Sequence, residues 1–206
     1  MTPSTALGGF TAILLLTGGA MAQLSCSQVA TSGPAVREFG STYDSVRGRA
    51  LLFGGDNAGF LRNDTWEWDG ATWSLVTTPI VGPRARPAMA FDEGAATSLM
   101  FGGTSPSGIF LNDTWTYDGA QWQQQQPAQS PSARSGTAMV YDPVRQVVVL
   151  FGGFVALGID SSDTYEWDGA TWTYRSSAAS PPARGAHRMV YDAGRGTVVM
   201  FGGFST

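Results

Sequence analysis

Histidine, cysteine and clustered carboxylates are the side chains that most often do chemistry, and the first two are scarce in this chain. His187 and Cys26 each stand alone among 206 residues. A zinc or copper centre needs several such ligands converging, so neither can be assembled from these residues, and a single cysteine excludes an intrachain disulfide. Carboxylates are more plentiful, at 16, but ten of them recur at three fixed landmarks: Asp44, Asp92, Asp142 and Asp192; Asp64, Asp113 and Asp163; Asp69, Asp118 and Asp168. Recurrence at such spacing points to turn hydrogen bonds and strand-end caps. That leaves Glu38, Asp56, Glu67, Glu93, Asp160 and Glu166, of which Glu67 and Glu166 are equivalent positions, so no glycosidase-like pair stands out. Asp56-Asn57 with Asn63-Asp64, or Asp160 with Asp163, offer oxygen ligands of the calcium type, but their spacing fits no calcium loop and a capped turn is the simpler reading. There is no phosphate loop and no serine nucleophile motif. We therefore expect no catalytic residue, no metal and no cofactor from this stretch of chain.

The elements that carry these residues are set by a repeat. Phe-Gly-Gly occurs at Phe53, Phe101, Phe151 and Phe201, about 50 residues apart, each time behind a short apolar run. An aromatic-Asp pair ends nine positions earlier, at Tyr43-Asp44, Phe91-Asp92, Tyr141-Asp142 and Tyr191-Asp192. Downstream come Asn63-Asp64-Thr65-Trp66, Asn112-Asp113-Thr114-Trp115 and Ser162-Asp163-Thr164-Tyr165, then Asp-Gly at Asp69, Asp118 and Asp168, then Trp73, Trp122 and Trp172. A Pro-rich stretch with Arg84, Arg134 or Arg184 closes each unit.

Each unit reads as four short strands bounded by turns. In the third they are 137–141, 147–151, 164–167 and 171–174. The second is a near-continuous apolar run, as for a strand covered on both faces, whereas the third alternates, with Trp66 and Trp68, Trp115 and Tyr117, or Tyr165 and Trp167 on one face. Gly-Gly behind the second strand lets the chain leave the sheet abruptly, and Asp-Gly predicts a tight hairpin between strands three and four. A single four-stranded meander cannot bury its aromatic face alone; radial stacking of identical meanders can.

On the Phe-Gly-Gly pairs, the spaced aromatics Tyr165 and Trp172, the period and Arg184-Gly185-Ala186-His187 at a unit start, the chain resembles the kelch-repeat β-propeller family, over about residues 37 to 206. The resemblance implies an all-β fold, a kelch-type β-propeller of four-stranded antiparallel blades with about three and a half blades present: repeat 1 over 37–83, repeat 2 over 84–133, repeat 3 over 134–183 and a partial repeat 4 over 184–206. It also implies that His187, whose counterparts are Pro87 and Thr137, has a structural place. Residues 23–36 resemble the fourth strand and exit loop of a unit, as an N-terminal closing strand would. Three and a half blades do not close a ring, so we expect the front portion of a longer chain, with roughly two to four further repeats, in preference to a dimer of two arcs. The galactose oxidase branch of the family uses copper, for which the ligand set is absent here.

Composition bounds the partners. Hydrophobic residues make up 43%, enough for a core, while only 14% are charged and 27 are glycine, the balance of a turn-rich all-β protein. All 12 basic residues are arginine and the net charge is -4, which argues against nucleic acid. Residues 1–22 read as a cleaved signal peptide: an apolar stretch from Leu7 to Thr17 and a small-x-small site at Ala20-Met21-Ala22, too short for a stable membrane span. The n-region has no Arg or Lys. Cys26 is read as a small buried residue, with lipid attachment as the other reading. The expected location is extracellular or periplasmic.

Strand direction puts the loops between strands two and three on the same face as those between units, and there the repeats differ. We expect any ligand on that face, at Asn57, Phe60, Arg62, Ser107, Ile109, Phe110, Phe154, Leu157 and Ile159. These residues either meet a protein or extracellular glycan, or fold back over the loop bases. Two functions follow from the resemblance: a secreted non-enzymatic interaction module, and the N-terminal part of a propeller enzyme, a sugar oxidase or isomerase, with its catalytic residues in other blades.

Overall fold

The turns between the first two strands of each unit are built on one aspartate. Asp44 Oδ1 accepts the amides of Val46 and Arg47, Asp92 Oδ1 that of Ala95, Asp142 Oδ1 those of Val144 and Arg145, and Asp192 Oδ1 that of Arg195. A carboxylate that satisfies otherwise orphaned amides fixes where the chain reverses. The Asp-Gly turns work alike: Asp69, Asp118 and Asp168 each accept two amides, which hold their carboxyls below the usual range.

The structure is a computed structural model that describes residues 33–76 and 80–205. The proposed signal segment, Cys26, most of the proposed closing strand and Pro79 lie outside the described residues. The chain is all-β. The first unit contains β1 (Gly40–Asp44), β2 (Arg49–Asn57), β3 (Phe60–Trp68) and β4 (Trp73–Val76). The second has β5 (Ala88–Asp92), β6 (Thr97–Phe101), β7 (Thr114–Tyr117) and β8 (Trp122–Gln125). In the third, β9 (Ala138–Asp142), β10 (Val147–Phe151), β13 (Thr164–Trp167) and β14 (Trp172–Arg175) are joined by a small hairpin, β11 (Phe154–Ala156) with β12 (Ile159–Asp160). Last come β15 (Gly185–Asp192) and β16 (Thr197–Phe204). Three sheets are four-stranded antiparallel meanders, and β15 with β16 forms a two-stranded one. The register repeats: Phe53 faces Thr65, Phe101 faces Thr114 and Phe151 faces Thr164. Among the described residues no helix is long and apolar enough to cross a membrane.

First strands of successive units lie side by side, β1 to β5 to β9 to β15. The core therefore sits between the sheets. One cluster joins Leu51 and Phe53 of the first unit to Met89, Met100, Trp115, Tyr117 and Trp122 of the second; another joins Ala88, Leu99 and Phe101 to Met139, Val148, Leu150, Trp167 and Trp172 of the third. Each fully buried side chain of this size contributes about 1.5–3 kcal/mol. Edge-to-face packing of Phe53 with Trp122, centroids 5.2 Å apart, recurs as Phe101 with Trp172 at 5.4 Å.

Two predicted features come out differently. The stretches following Gly-Gly are ordered hairpins: β2 and β3 remain paired through Asp56–Leu61 and Asn57–Phe60, reversing at Ala58-Gly59, both with positive φ as a tight hairpin turn requires. Asp113 and Asp163 are not turn caps. Arg84 clamps Asp113 with two bonds, 2.7 and 2.8 Å, and Arg134 reaches Asp163 at 3.0 Å. The guanidiniums also donate to the carbonyls of Gly102 and Gly152, while the Arg84 and Arg134 main chains bond the preceding unit at Gly55 and Arg62, or Gly103 and Leu111. One arginine thus sutures two sheets. Burial pushes the Asp113 carboxyl up, but Arg84 and the Trp115 indole outweigh it and hold it below the usual range. In the first unit Val36 occupies the position of these arginines, and Asp64 pairs locally with Arg62 at 2.8 Å.

Candidate functional site

Six residues before the turn aspartate, the four units carry Glu38, Arg86, Gly136 and Ala186, and all four backbones are left-handed, with φ of 58°, 53°, 62° and 59°. Their peptide groups bond from unit to unit: Arg86 N–H to Glu38 O at 2.6 Å, Gly136 N–H to Arg86 O at 3.2 Å, Ala186 N–H to Gly136 O at 2.8 Å. This belt demands positive φ, which costs a non-glycine residue about 1–2 kcal/mol. Gly136 shows that glycine serves the fold, yet three units retain a side chain there.

The belt rims a cavity of about 1070 Å³ bordered by all four units. On one side stand Arg37, Glu38, Asp56 and Arg86, joined as Arg86–Glu38 (2.6 Å) across the first unit boundary and Arg37–Asp56 (3.3 Å). Arg188 adds a further guanidinium on the innermost strand of the last unit. Phe154 and Phe204, ring centroids 5.3 Å apart, also line it, as do Met89, Met139 and Met189. Phe154 lies over Gly136 and Gly185, where a Cβ would approach the ring to 2.8 Å or closer. The wall thus offers both charged donors and acceptors and aromatic rings. Among the described residues no histidine, cysteine or lysine lines it.

Of the nine residues expected on the ligand face, only Phe154 borders the cavity. Asn57 and Phe60 sit exposed at the first hairpin tip, and Arg62 is tied to Asp64. Ser107 is exposed with its hydroxyl against Ser105. Ile109, Ile159 and Leu157 are exposed, the last at 96%, whereas Phe110 is half-buried and bridges to Thr104. Ile109, Leu157 and Ile159 thus do not line the cavity, whereas the first hairpin reaches it through Asp56 and Ala58, and Glu38, Arg86, Arg188 and Phe204, absent from the expected face, are among its wall residues. The sequence carries no distinct signal for them: position six before the aspartate reads Glu, Arg, Gly, Ala, and the positions on either side vary as freely, as Arg, Ala, Ser, Gly and as Phe, Pro, Thr, His.

His187 is fully buried, edge-on to Phe151 at 5.5 Å, and among the described residues neither ring nitrogen has a hydrogen-bond partner. Burial, with the charges of Arg184 and Arg188, lowers its pKa to about 4. It stands where Thr137 donates to Phe151 O at 2.7 Å, and it does not line the cavity.

No family model matches the chain, and no curated protein is similar to it in sequence. Solved structures do match, among them one titled "Structure of YjhT", with a TM-score of 0.64 at 14% identity, covering 80% of this chain. That likeness is one of fold. The chain spans 59% of the length of that structure.

Proposed function

We propose that this chain is an exported, non-enzymatic kelch-type β-propeller module that binds a carbohydrate in the cavity bordered by the belt. One observation carries the reading: Glu38 and Arg86 keep a strained left-handed backbone at a position where glycine would serve the fold, and their charged side chains border the cavity, paired with each other. Strain retained where a side chain faces a cavity is a mark of use. Guanidinium donors and carboxylate acceptors suit hydroxyl groups, while the Phe154 and Phe204 rings suit the C–H face of a sugar. The repetitive Phe-Gly-Gly scaffold and the likeness in fold to a solved structure support the propeller arrangement. The apolar Leu7–Thr17 segment with Ala20-Met21-Ala22 supports export, and a mature N-terminus at Gln23 is the expected result of sequencing the secreted protein.

The test uses a substitution the repeat itself supplies. Arg86→Gly installs the residue found at Gly136, so folding is retained or improved while the side chain is removed. Calorimetric titration against a panel of mono- and oligosaccharides should find a ligand whose affinity falls at least about tenfold in Arg86→Gly with Tm unchanged or raised. Sugar binding indifferent to Arg86 and Glu38, or no sugar bound, would overturn the proposal.

A further inference from the structure

Two positions of the repeat meet at the cavity, and they change character together along the chain. Six residues before the turn aspartate stand Glu38, Arg86, Gly136 and Ala186; directly after Gly-Gly stand Asp56, Thr104, Phe154 and Phe204. All but Thr104 border the cavity. The first two units thus combine a charged belt residue with a polar one after Gly-Gly, and the last two combine a small belt residue with phenylalanine.

Each combination closes a pair across a unit boundary. Arg86 meets Glu38 at 2.6 Å across the first, and Phe154 meets Phe204, centroids 5.3 Å apart, across the third. At the boundary between them Thr104 Oγ1 donates to Ser135 Oγ at 2.8 Å, and neither residue lines the cavity. The exchange of side chain for ring is steric. A Cβ on Gly136 would stand 2.8 Å from the Phe154 ring, and one on Gly185 closer still, so the ring fills the space a belt side chain would take. Gly136 N–H donates to Arg86 O, which keeps both pairs on one continuous belt. Packed sheets stand on the order of 10 Å apart, so pairs at the first and third boundaries are set farther apart than one sugar ring spans.

We propose that the cavity takes an oligosaccharide rather than a monosaccharide, with one sugar unit hydrogen-bonded at Glu38 and Arg86 and a neighbouring unit stacked on Phe154. This rests on the carbohydrate reading of the cavity and adds ligand length to it. A charged pair suits the hydroxyls of one unit and a ring pair the C–H face of another, and a volume of about 1070 Å³ accommodates both.

Calorimetric titration against cello-, malto- and chito-oligosaccharides of one to four units tests the proposal. In a series that binds, affinity should rise at least about tenfold between the monosaccharide and the di- or trisaccharide, then level off. Phe154→Ala should abolish most of that gain. Gly136→Ala, which keeps the phenylalanine and pushes its ring aside, should reduce it, and Ala186 shows that alanine is accepted at this belt position. Thermal unfolding verifies that both variants fold, and Gly136→Ala supplies the readout should Phe154→Ala fail to do so. Equal affinity for the monosaccharide and its longer relatives would overturn this inference and leave the carbohydrate reading standing. A length gain retained in full by both variants would also overturn it. Binding of no sugar in any series would remove the reading on which it rests, and the inference with it.

Discussion

The indole Nε1–H of Trp172 donates to Thr114 Oγ1 at 3.0 Å, a buried bond that crosses from the third unit to the second. Trp122 and Thr65 repeat it one unit earlier, at 2.9 Å. The outermost strands of the second and third units are thereby locked to the third strands of the units before them, and the same tryptophans supply the edge-to-face partners of Phe53 and Phe101.

Replacing Trp172 by phenylalanine leaves Thr114 Oγ1 buried without its donor and opens space beside Phe101, so a loss of about 2–4 kcal/mol is expected. Trp73, half-buried and packed on Trp68, has no such bond across units among the described residues, and Trp73→Phe should cost under about 1.5 kcal/mol. Urea midpoints of the two variants compared side by side check the difference; equal losses would show that the inter-unit bond contributes little.

Arg134 is at 0% exposure, and Arg134→Met leaves Gly152 O without its donor and removes the bond to Asp163, whose side chain is 36% exposed, so a loss of about 1–3 kcal/mol is expected. Arg184→Met, in which a partly exposed guanidinium loses its bonds to two exposed carbonyls, Pro182 O and Gly202 O, should cost about 1 kcal/mol or less. Thermal unfolding of both variants distinguishes a suture from a surface charge.

Gly152 has φ of +67°, and a Cβ there would lie 2.6 Å from Arg184 O. Gly152→Ala must displace the main chain that joins two units, and a loss of about 4 kcal/mol or more is expected. Gly169 also has positive φ but open space around it, so Gly169→Ala should cost about 1 kcal/mol. Similar losses at the two sites would mean that the close approach to Arg184 is easily relieved.

His187 gives stability a pH dependence. Its folded pKa is about 4 against an ordinary value of 6.5, so the unfolded chain takes up the proton more readily. The contribution is complete above pH 6.5, declines as the pH falls from 6.5 towards 4, and amounts to about 2–3 kcal/mol by linkage. His187→Thr, which installs the residue found at the equivalent Thr137, should flatten the curve in that window and leave the steeper fall below pH 4, where Asp113, Asp142 and Asp192 with their lowered pKa values protonate. Denaturant titrations from pH 4 to 8 provide the measurement, and an unchanged slope in the variant would assign the effect elsewhere.

Much of the strand layout was legible. In the third unit β10 and β13 match the expected bounds, and β9 and β14 are displaced by one residue, because apolar alternation and Asp-capped turns act within a few positions of one another. The pairing of Arg84 with Asp113 was not legible: the two lie 29 residues apart, and their meeting depends on sheet register and on the path between units. Nor was the cavity. Apolar residues of the hairpin tips, such as Ile109 and Leu157, are the conspicuous ones in the sequence and stand outside it, while Glu38 and Arg86 look like ordinary residues ahead of a first strand.

The sequence by itself determined the repeat, its strands and its turns, since each rests on local chemistry: period-two burial, glycine at positive φ, aspartate capping nearby amides. Only the tertiary structure decided which repeated position looks inward. Main-chain hydrogen bonds passing from Glu38 to Arg86, Gly136 and Ala186 set each unit against the last, and that relation between distant backbones brings side chains about 50 residues apart to one cavity.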